Sequence, residues 1–221
     1  MEVTYLGHSA FKLKNKNGMV VIMDPFATED VGLGMAKEMA DIVTISHDHG
    51  DHNNKESVTG PAKRQEVFVI DKVGEYEIGG IEISAIRTFH DKTEGSERGR
   101  NLITVVRMDN LAFCHLGDLG HKLSEGTIEK MGSVDVLMIP VGGVYTIDAQ
   151  EAVDMIKEIQ PSVVIPMHYK VDGMTSQFSE MTTLELFLDK CKLPVMEERL
   201  HKTKIDESSL PDDTQIMIMN A

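Results

Sequence analysis

The run His47-Asp48-His49-Gly50-Asp51-His52 constrains this chain more than any other stretch. Four potential ligands in H-x-H-x-D-H spacing, His47, His49, Asp51 and His52, fall within six positions, and the strand-like residues 42–45 run into them. Residues two apart at a strand end project the same way, so His47 and His49 can share one ion. Gly50 permits a sharp turn. Asp51 and His52 are then displaced and can reach a second ion. Imidazole and carboxylate together suit Zn²⁺, Mn²⁺ or Fe. A chain carrying such a run needs a rigid strand end to hold it and a buried sheet behind that end.

The rest of the pattern supplies that sheet. Residues 3–6, 11–14 and 19–23 read as short strands, with Asn17-Gly18 at a turn. The run Val20-Val21-Ile22 reads as a buried central strand that stops at Asp24-Pro25. Residues 34–39 read as a short helix. Residues 67–70, 75–78 and 81–88 continue the strands. Residues 102–107 and 111–115 form a hairpin around Asp109-Asn110. A helix over 124–131 and a strand over 136–139 follow. Asp148 and Glu151 form a capping pair, and Ala152, Val153, Ile156 and Ile159 keep helical spacing as far as Pro161. A buried strand at 163–165 leads to His168, a helix covers 181–190, and a last strand covers 215–219. Each half therefore has a strand ending in Asp (Asp24, Asp118), then a helix, then a strand ending in His (His47, His168). This is a weak repeat of two α/β halves whose strand ends can meet. No linker or low-complexity run divides the chain, so residues 1–221 are expected to form one domain.

Composition narrows the functions. Lys plus Arg is 22 and Asp plus Glu is 36, a net charge of −14, which repels phosphate backbones and argues against a nucleic-acid partner. The most apolar stretch, 134–144, contains an Asp, a Pro and two Gly and is far shorter than the roughly 20 residues of a membrane span. No basic and apolar leader precedes the first strand, and two cysteines make no disulfide framework, so the cytoplasm is the expected compartment.

Three more residues complete a ligand set. His90 follows Thr88-Phe89, Asp118 lies in His115-Leu116-Gly117-Asp118, and His168 follows Pro166-Met167. Two ions need about seven protein ligands with one shared carboxylate, a role that suits Asp118. With these residues in place the chain resembles the metallo-β-lactamase superfamily. Within it the chain is similar to small prokaryotic metal-dependent hydrolases of the ascorbate-6-phosphate lactonase-like branch. Gly7-His8-Ser9-Ala10-Phe11, Ser46-His47-Asp48-His49, Gly74-Glu75-Tyr76, Gly99-Arg100-Asn101, the run from His115 to His121 and Ile165-Pro166-Met167-His168-Tyr169 carry the resemblance, over roughly residues 3 to 170. It implies a four-layer αββα sandwich of α/β class with a dinuclear site at the sheet edge. It implies that His47, His49 and His90 hold one ion, that Asp51, His52 and His168 hold the other, and that Asp118 bridges. Asp24 would orient the ligand loop through hydrogen bonds. The bridging Asp118 stands where true β-lactamases of this superfamily often carry Cys or Ser, which argues against lactamase activity. His49 stands where the flavodiiron branch usually has Glu.

The expected activity is hydrolysis of an ester, lactone, thioester or phosphoester by hydroxide activated between two divalent ions, Zn²⁺ first and Mn²⁺ or Fe as alternatives, with Asp51 and Asp118 catalytic. A non-catalytic metal-binding or regulatory module on the same fold is the alternative. The partner is a small molecule, with no membrane surface; a homo-oligomer is compatible with the resemblance. His8, His121, Tyr145, Arg98 and Arg100 are candidate substrate contacts, the two arginines for an anionic group. His115, three before Asp118, is expected to be buried and hydrogen-bonded on the opposite face.

Overall fold

The structure is a computed structural model, and it describes residues 1–62, 66–196 and 201–221. The first half builds β1 (Glu2–Gly7), β2 (Ala10–Lys14), β3 (Val20–Met23), a single helical turn α1 (Thr28–Val31), β4 (Glu38–Met39), β5 (Ile42–Thr44), β6 (Val58–Thr59) and β7 (Phe68–Ile70). The second builds β8 (Gly74–Ile78), β9 (Ile81–Phe89), β10 (Arg100–Met108), β11 (Leu111–His115), α2 (Glu125–Met131), β12 (Val136–Pro140), α3 (Ala149–Ile159), β13 (Val163–Met167) and α4 (Leu184–Cys191). Two short strands, β14 (Lys202–Lys204) and β15 (Gln215–Ile216), close one sheet each.

The first sheet runs β14-β1-β2-β3-β5-β7 and the second β15-β13-β12-β11-β10-β9-β8. They pack face to face. Val3, Phe11, Leu13 and Val21 from the first meet Ile83, Val106, Phe113, Met138 and Ile165 from the second. The alternate residues of the second sheet, among them Val105, Cys114, Leu137 and Val164, face outward onto α3 and α4. Both faces of these strands are buried, which explains their unbroken apolar runs. Seven methionines lie between the sheets, so the high Met count is packing rather than chemistry.

This is the αββα sandwich, with one outer layer thinned. Over the first sheet, Ile22, Val43 and Ile45 are covered by the β4–β6 ribbon and its flanks instead of long helices. The helix expected over 34–39 is absent: Glu38–Met39 pairs in parallel with Val58–Thr59. A six-residue helix opening on Gly34 has little of its own to stabilise it, and the ribbon gives the same backbone partners. Elsewhere the expected elements form within a few residues, including the Asp148/Glu151 capping box on α3. Among the described residues no helix is long and apolar enough to cross a membrane.

What matters for the site is one edge. The parallel pairs β3–β5 and β11–β12–β13 bring their C-terminal ends together there. Polar groups at such ends face loops and a crevice.

Candidate metal centre

Asp24, His47, His52, Asp118 and His168 all follow strand ends and converge on this edge. His8, Asp24 and His168, each the residue just past a strand, adopt left-handed backbone with φ of 53°, 45° and 51°. Such conformations are costly for non-glycine residues and persist where the surroundings enforce them. The backbone of His168 donates to the His8 carbonyl at 3.0 Å, tying the edges of the two sheets together. Gly117, just before Asp118, also has positive φ, and a Cβ there would lie 2.3 Å from the Asn101 amide oxygen and 2.5 Å from the Ser46 Cβ. Only glycine lets the two strand ends approach this closely. Gly50 lies in the turn expected of it, which the His52 backbone closes on the His49 carbonyl at 2.9 Å, and it serves packing as well. Its φ is not positive; a Cβ would instead lie 1.8 Å from an Asp30 carboxylate oxygen.

Asp118 is the hub. Its two carboxylate oxygens lie 3.2 Å from His52 Nε2, 3.2 Å from His90 Nε2, 3.1 Å from His168 Nε2 and 3.8 Å from His47 Nε2. His49 joins from the open side, its ring 4.6 Å from that of His47 and 5.2 Å from that of His90, centroid to centroid. On the other flank an Asp51 oxygen lies 3.5 Å from His52 Nε2 and 4.0 Å from His168 Nε2. Three sets therefore each place one ligand atom per residue within 4.8 Å of one another: His47/His49/His90; His47/His52/Asp118; and His8/Asp51/His52/His168.

The outer shell fixes which ring nitrogens face inward. Asp24 accepts from the Ser46 backbone at 2.8 Å, from the Ser46 hydroxyl at 2.5 Å and from His52 Nδ1 at 2.8 Å. The Ser46 hydroxyl spends its proton on Asp24, so it accepts from His47 Nδ1 at 2.9 Å. Both imidazoles thus carry a proton on the outer nitrogen and turn Nε2 toward Asp118, the usual arrangement behind a metal-ligating histidine. Asn101, fully buried, holds the Asp118 segment. Its amide donates to Thr88 Oγ1 and to the Leu116 carbonyl, and its oxygen accepts from the Asp118 backbone at 3.0 Å.

Buried polar groups normally find partners. Here the buried atoms His47 Nε2, His52 Nε2, His168 Nε2 and Asp118 Oδ1 have no hydrogen-bond partner, and all four point at the same small volume. Burial pushes the His47 imidazole down to about 3 and the His8 imidazole down to about 4. Neutral imidazole is the ligating form. Burial would raise the Asp118 carboxyl, yet His168 and His52 beside it hold it well below the ordinary carboxylate range. Burial would lower the His52 imidazole, yet Asp118 and Asp51 beside it push it well above its ordinary value, so positive charge is favoured where these unpartnered buried atoms meet, and a divalent cation fits there.

A cavity of about 500 Å³ opens onto His49, Asp51, His90, Asp118 and His168. Its rim carries Arg98, Tyr145, Gln177 and Asp30, linked in a chain. Arg98 Nη1 donates to the Val144 carbonyl at 2.9 Å and its guanidinium stands 5.0 Å from the Tyr145 ring centroid. The Tyr145 hydroxyl donates to the Gln177 carbonyl at 2.7 Å, and the Gln177 side chain donates to the Asp30 carbonyl at 2.8 Å.

The structure redistributes the expected substrate contacts. Arg98 and Tyr145 face the cavity, although the Tyr145 proton is engaged by Gln177. His8 lies behind Asp51, 3.2 Å from its carboxylate and buried, inside the ligand cluster instead of the cavity lining. His121 accepts from the Phe89 backbone at 3.2 Å and its other ring nitrogen meets the Lys122 carbonyl at 2.8 Å, so it braces the strand before His90. Arg100 lines a neighbouring cleft. His115 is buried and 2.8 Å from the Ser9 carbonyl, but it does not turn away from the site as expected: its Nδ1 lies 3.9 Å from an Asp24 oxygen, because β11 ends at His115 and strand alternation does not reach Asp118. Sequence reasoning missed Asp91. Its carboxylate accepts four backbone N–H groups, from Thr93, Gly95, Glu97 and Arg98, at 2.7–3.0 Å, and so builds the loop that carries Arg98. The signal available was an Asp opening a Gly-containing loop.

With the geometry in place, comparison with known proteins places the chain. A family model described as a β-lactamase superfamily domain matches residues 2–168, ending on the last candidate ligand. A UPF0173 protein of Pyrococcus abyssi is 30% identical over 191 residues, covering 78% of this chain and 85% of the relative. A protein of Archaeoglobus fulgidus named as a UPF0173 metal-dependent hydrolase is 28% identical over 195 residues, 76% of this chain and 83% of the relative. Among solved structures, a candidate zinc-dependent hydrolase of the metallo-β-lactamase superfamily from Thermotoga maritima superposes with TM-score 0.75 at 30% identity, covering 99% of both chains. A metallo hydrolase from Ignicoccus hospitalis shares the fold, with TM-score 0.68 at 21% identity over 99% of this chain and 94% of that one. The chain belongs to the β-lactamase superfamily and stands among its metal-dependent hydrolases.

Proposed function

We propose that this protein hydrolyses a small ester, lactone, thioester or phosphoester at a centre of two divalent metal ions, zinc foremost. His47, His49 and His90 would hold one ion and Asp51, His52 and His168 the other, with Asp118 available to both. The carrying observation is the meeting of unpartnered, buried His47, His52, His168 and Asp118 atoms, with Asp118 and His168 lining the floor of an open cavity. Ions bound there supply Lewis-acid chemistry and a water of lowered pKa.

The protein's own groups do the rest. Asp24 and Ser46 keep the proton on the outer nitrogens of His52 and His47, so the inner nitrogens stay turned toward Asp118. Asp118 and Asp51 are ionised and offset the positive charge that a two-ion site concentrates. His8, 3.2 Å from Asp51, steadies that carboxylate. Arg98, at the rim, faces the place where negative charge grows on a substrate and favours it. The reading predicts turnover of generic esters or phosphodiesters with bound metal and its loss in His49→Ala, with the circular dichroism spectrum unchanged. Full activity in His49→Ala would refute it.

A further inference from the structure

Beside the catalytic cavity lies a second one of about 600 Å³, and the two share Asp48, His49 and Arg98 as a common wall. Its lining is unlike the rest of this acidic chain. Lys72, Arg87, Arg98 and Arg100 line it, against two acids, Asp48 and Asp71, and His47 and His49 form its end toward the metal site. These cations come from separate segments: the turn before β8, the end of β9, the loop built by Asp91, and the start of β10. Only Arg98 and Arg100 are near one another in sequence.

The placement is fixed by the sheet. Arg87 sits opposite Leu102 on β10, and Arg100 is two residues along the same strand, so Arg87 and Arg100 are diagonal neighbours on one face. Like charges so placed repel when nothing lies between them. Among the described residues the side chains of Lys72, Arg87 and Arg100 form no ion pair, whereas Lys92, from the same loop as Arg98, is paired with Glu151. Arg98 is pinned by the Val144 carbonyl and the Tyr145 ring at the junction of the two cavities. In a chain of net charge −14, four cations gathered around one hollow make a local sink for anions. Planar guanidinium groups match the oxygens of phosphate-type anions in pairs.

We propose that this cleft is an anchoring subsite for a phosphate-type group, and that the substrates of the metal centre are small phosphorylated molecules whose scissile bond reaches past Asp48 and His49. The inference rests on the hydrolase reading for the second clause alone; the anion subsite stands on the cleft. Arg87 and Lys72 then set specificity without touching the reacting atoms.

The test is calorimetric titration of the metal-loaded protein with methylphosphonate, an oxyanion with no bond to hydrolyse. Wild type, Arg87→Gln/Arg100→Gln and Asp118→Asn are compared. Saturable binding is expected in wild type, weaker by roughly tenfold for each arginine removed. Asp118→Asn should keep more of the binding than the double arginine variant does, because Asp118 does not line the cleft. Binding that survives in the double variant but disappears in Asp118→Asn would place the anion on the ions and overturn the subsite while leaving the hydrolase reading intact. No binding in wild type would also overturn it. Binding that follows the arginines while Asp118→Asn keeps full hydrolytic activity would support the subsite and refute the metal reading instead. Arg87 and Arg100 are exposed, so the double variant is expected to fold, and its thermal melt checks that.

Discussion

The inter-sheet core and the strand-end edge are made by the same strands, yet they balance their atoms in opposite ways. Phe113 and Met138 are completely shielded and need nothing beyond apolar neighbours. A few residues on, Asp118 and His168 are as deeply buried, but they leave lone pairs unanswered. A buried polar atom without a partner is costly, so the core is complete as the chain folds and the edge is completed by a cation. Stability and function are thereby separable in this molecule, and substitutions can pull them apart.

The largest effect is expected at the hub. Asp118→Ala should cut hydrolysis by roughly a thousandfold or more, since metal-ion catalysis supplies several kcal/mol at 1.4 kcal/mol per tenfold. Its melting temperature should stay near that of the wild type when both are stripped of metal. Steady-state rates and thermal melts on the two proteins check this. A large drop in apo stability with retained activity would break the contrast.

The converse is Phe113→Ala. Emptying that site should cost about 3–5 kcal/mol and lower the melting temperature by roughly 10 °C. The metal bound per folded chain should not change. Elemental analysis of the folded fraction decides it, and a matching loss of metal would mean that the core and the edge are coupled.

Asp24→Asn probes the boundary between the two. The substitution weakens the carboxylate that orients His52 and Ser46. Metal affinity should fall about 10–100-fold, with the fold kept. Competition against a chromogenic chelator measures it.

The smallest effect is expected at Asp91. Asp91→Ala removes the acceptor of four backbone N–H groups, so amides of residues 93–98 should exchange with solvent faster while metal content is unchanged. Exchange followed by mass spectrometry would show it. Unchanged protection would mean that the loop is held by other contacts.

The edge was more legible in the sequence than the rim. The strands that support the ligands are continuous apolar runs, and their period and length announce them. The candidate ligands are packed into six positions or sit at strand ends, where chemistry and position reinforce each other. Asp24 was readable for the same reason. The rim follows other rules. Arg87 and Lys72 gain meaning only through the register of β9 on β10 and the fold that brings the turn before β8 alongside. Lys92, which sequence proximity groups with Arg98 and Arg100, turns away to Glu151. Asp91 works through backbone amides, which leave no residue pattern. The 34–39 segment misled because its composition tolerates a helix and only pairing with Val58–Thr59 selects a strand. His8 entered the ligand cluster through a left-handed turn after β1, a conformation that no local pattern marks.

The central claim is that the edge holds two ions joined by Asp118. Elemental mass spectrometry of the purified protein, with Asp118→Ala measured in parallel, tests it most directly. Close to two ions per chain in the wild type, falling to one or fewer in the variant, is the expected result. One ion or none in the wild type, unaltered by the substitution and not raised by added Zn²⁺ or Mn²⁺, would contradict it.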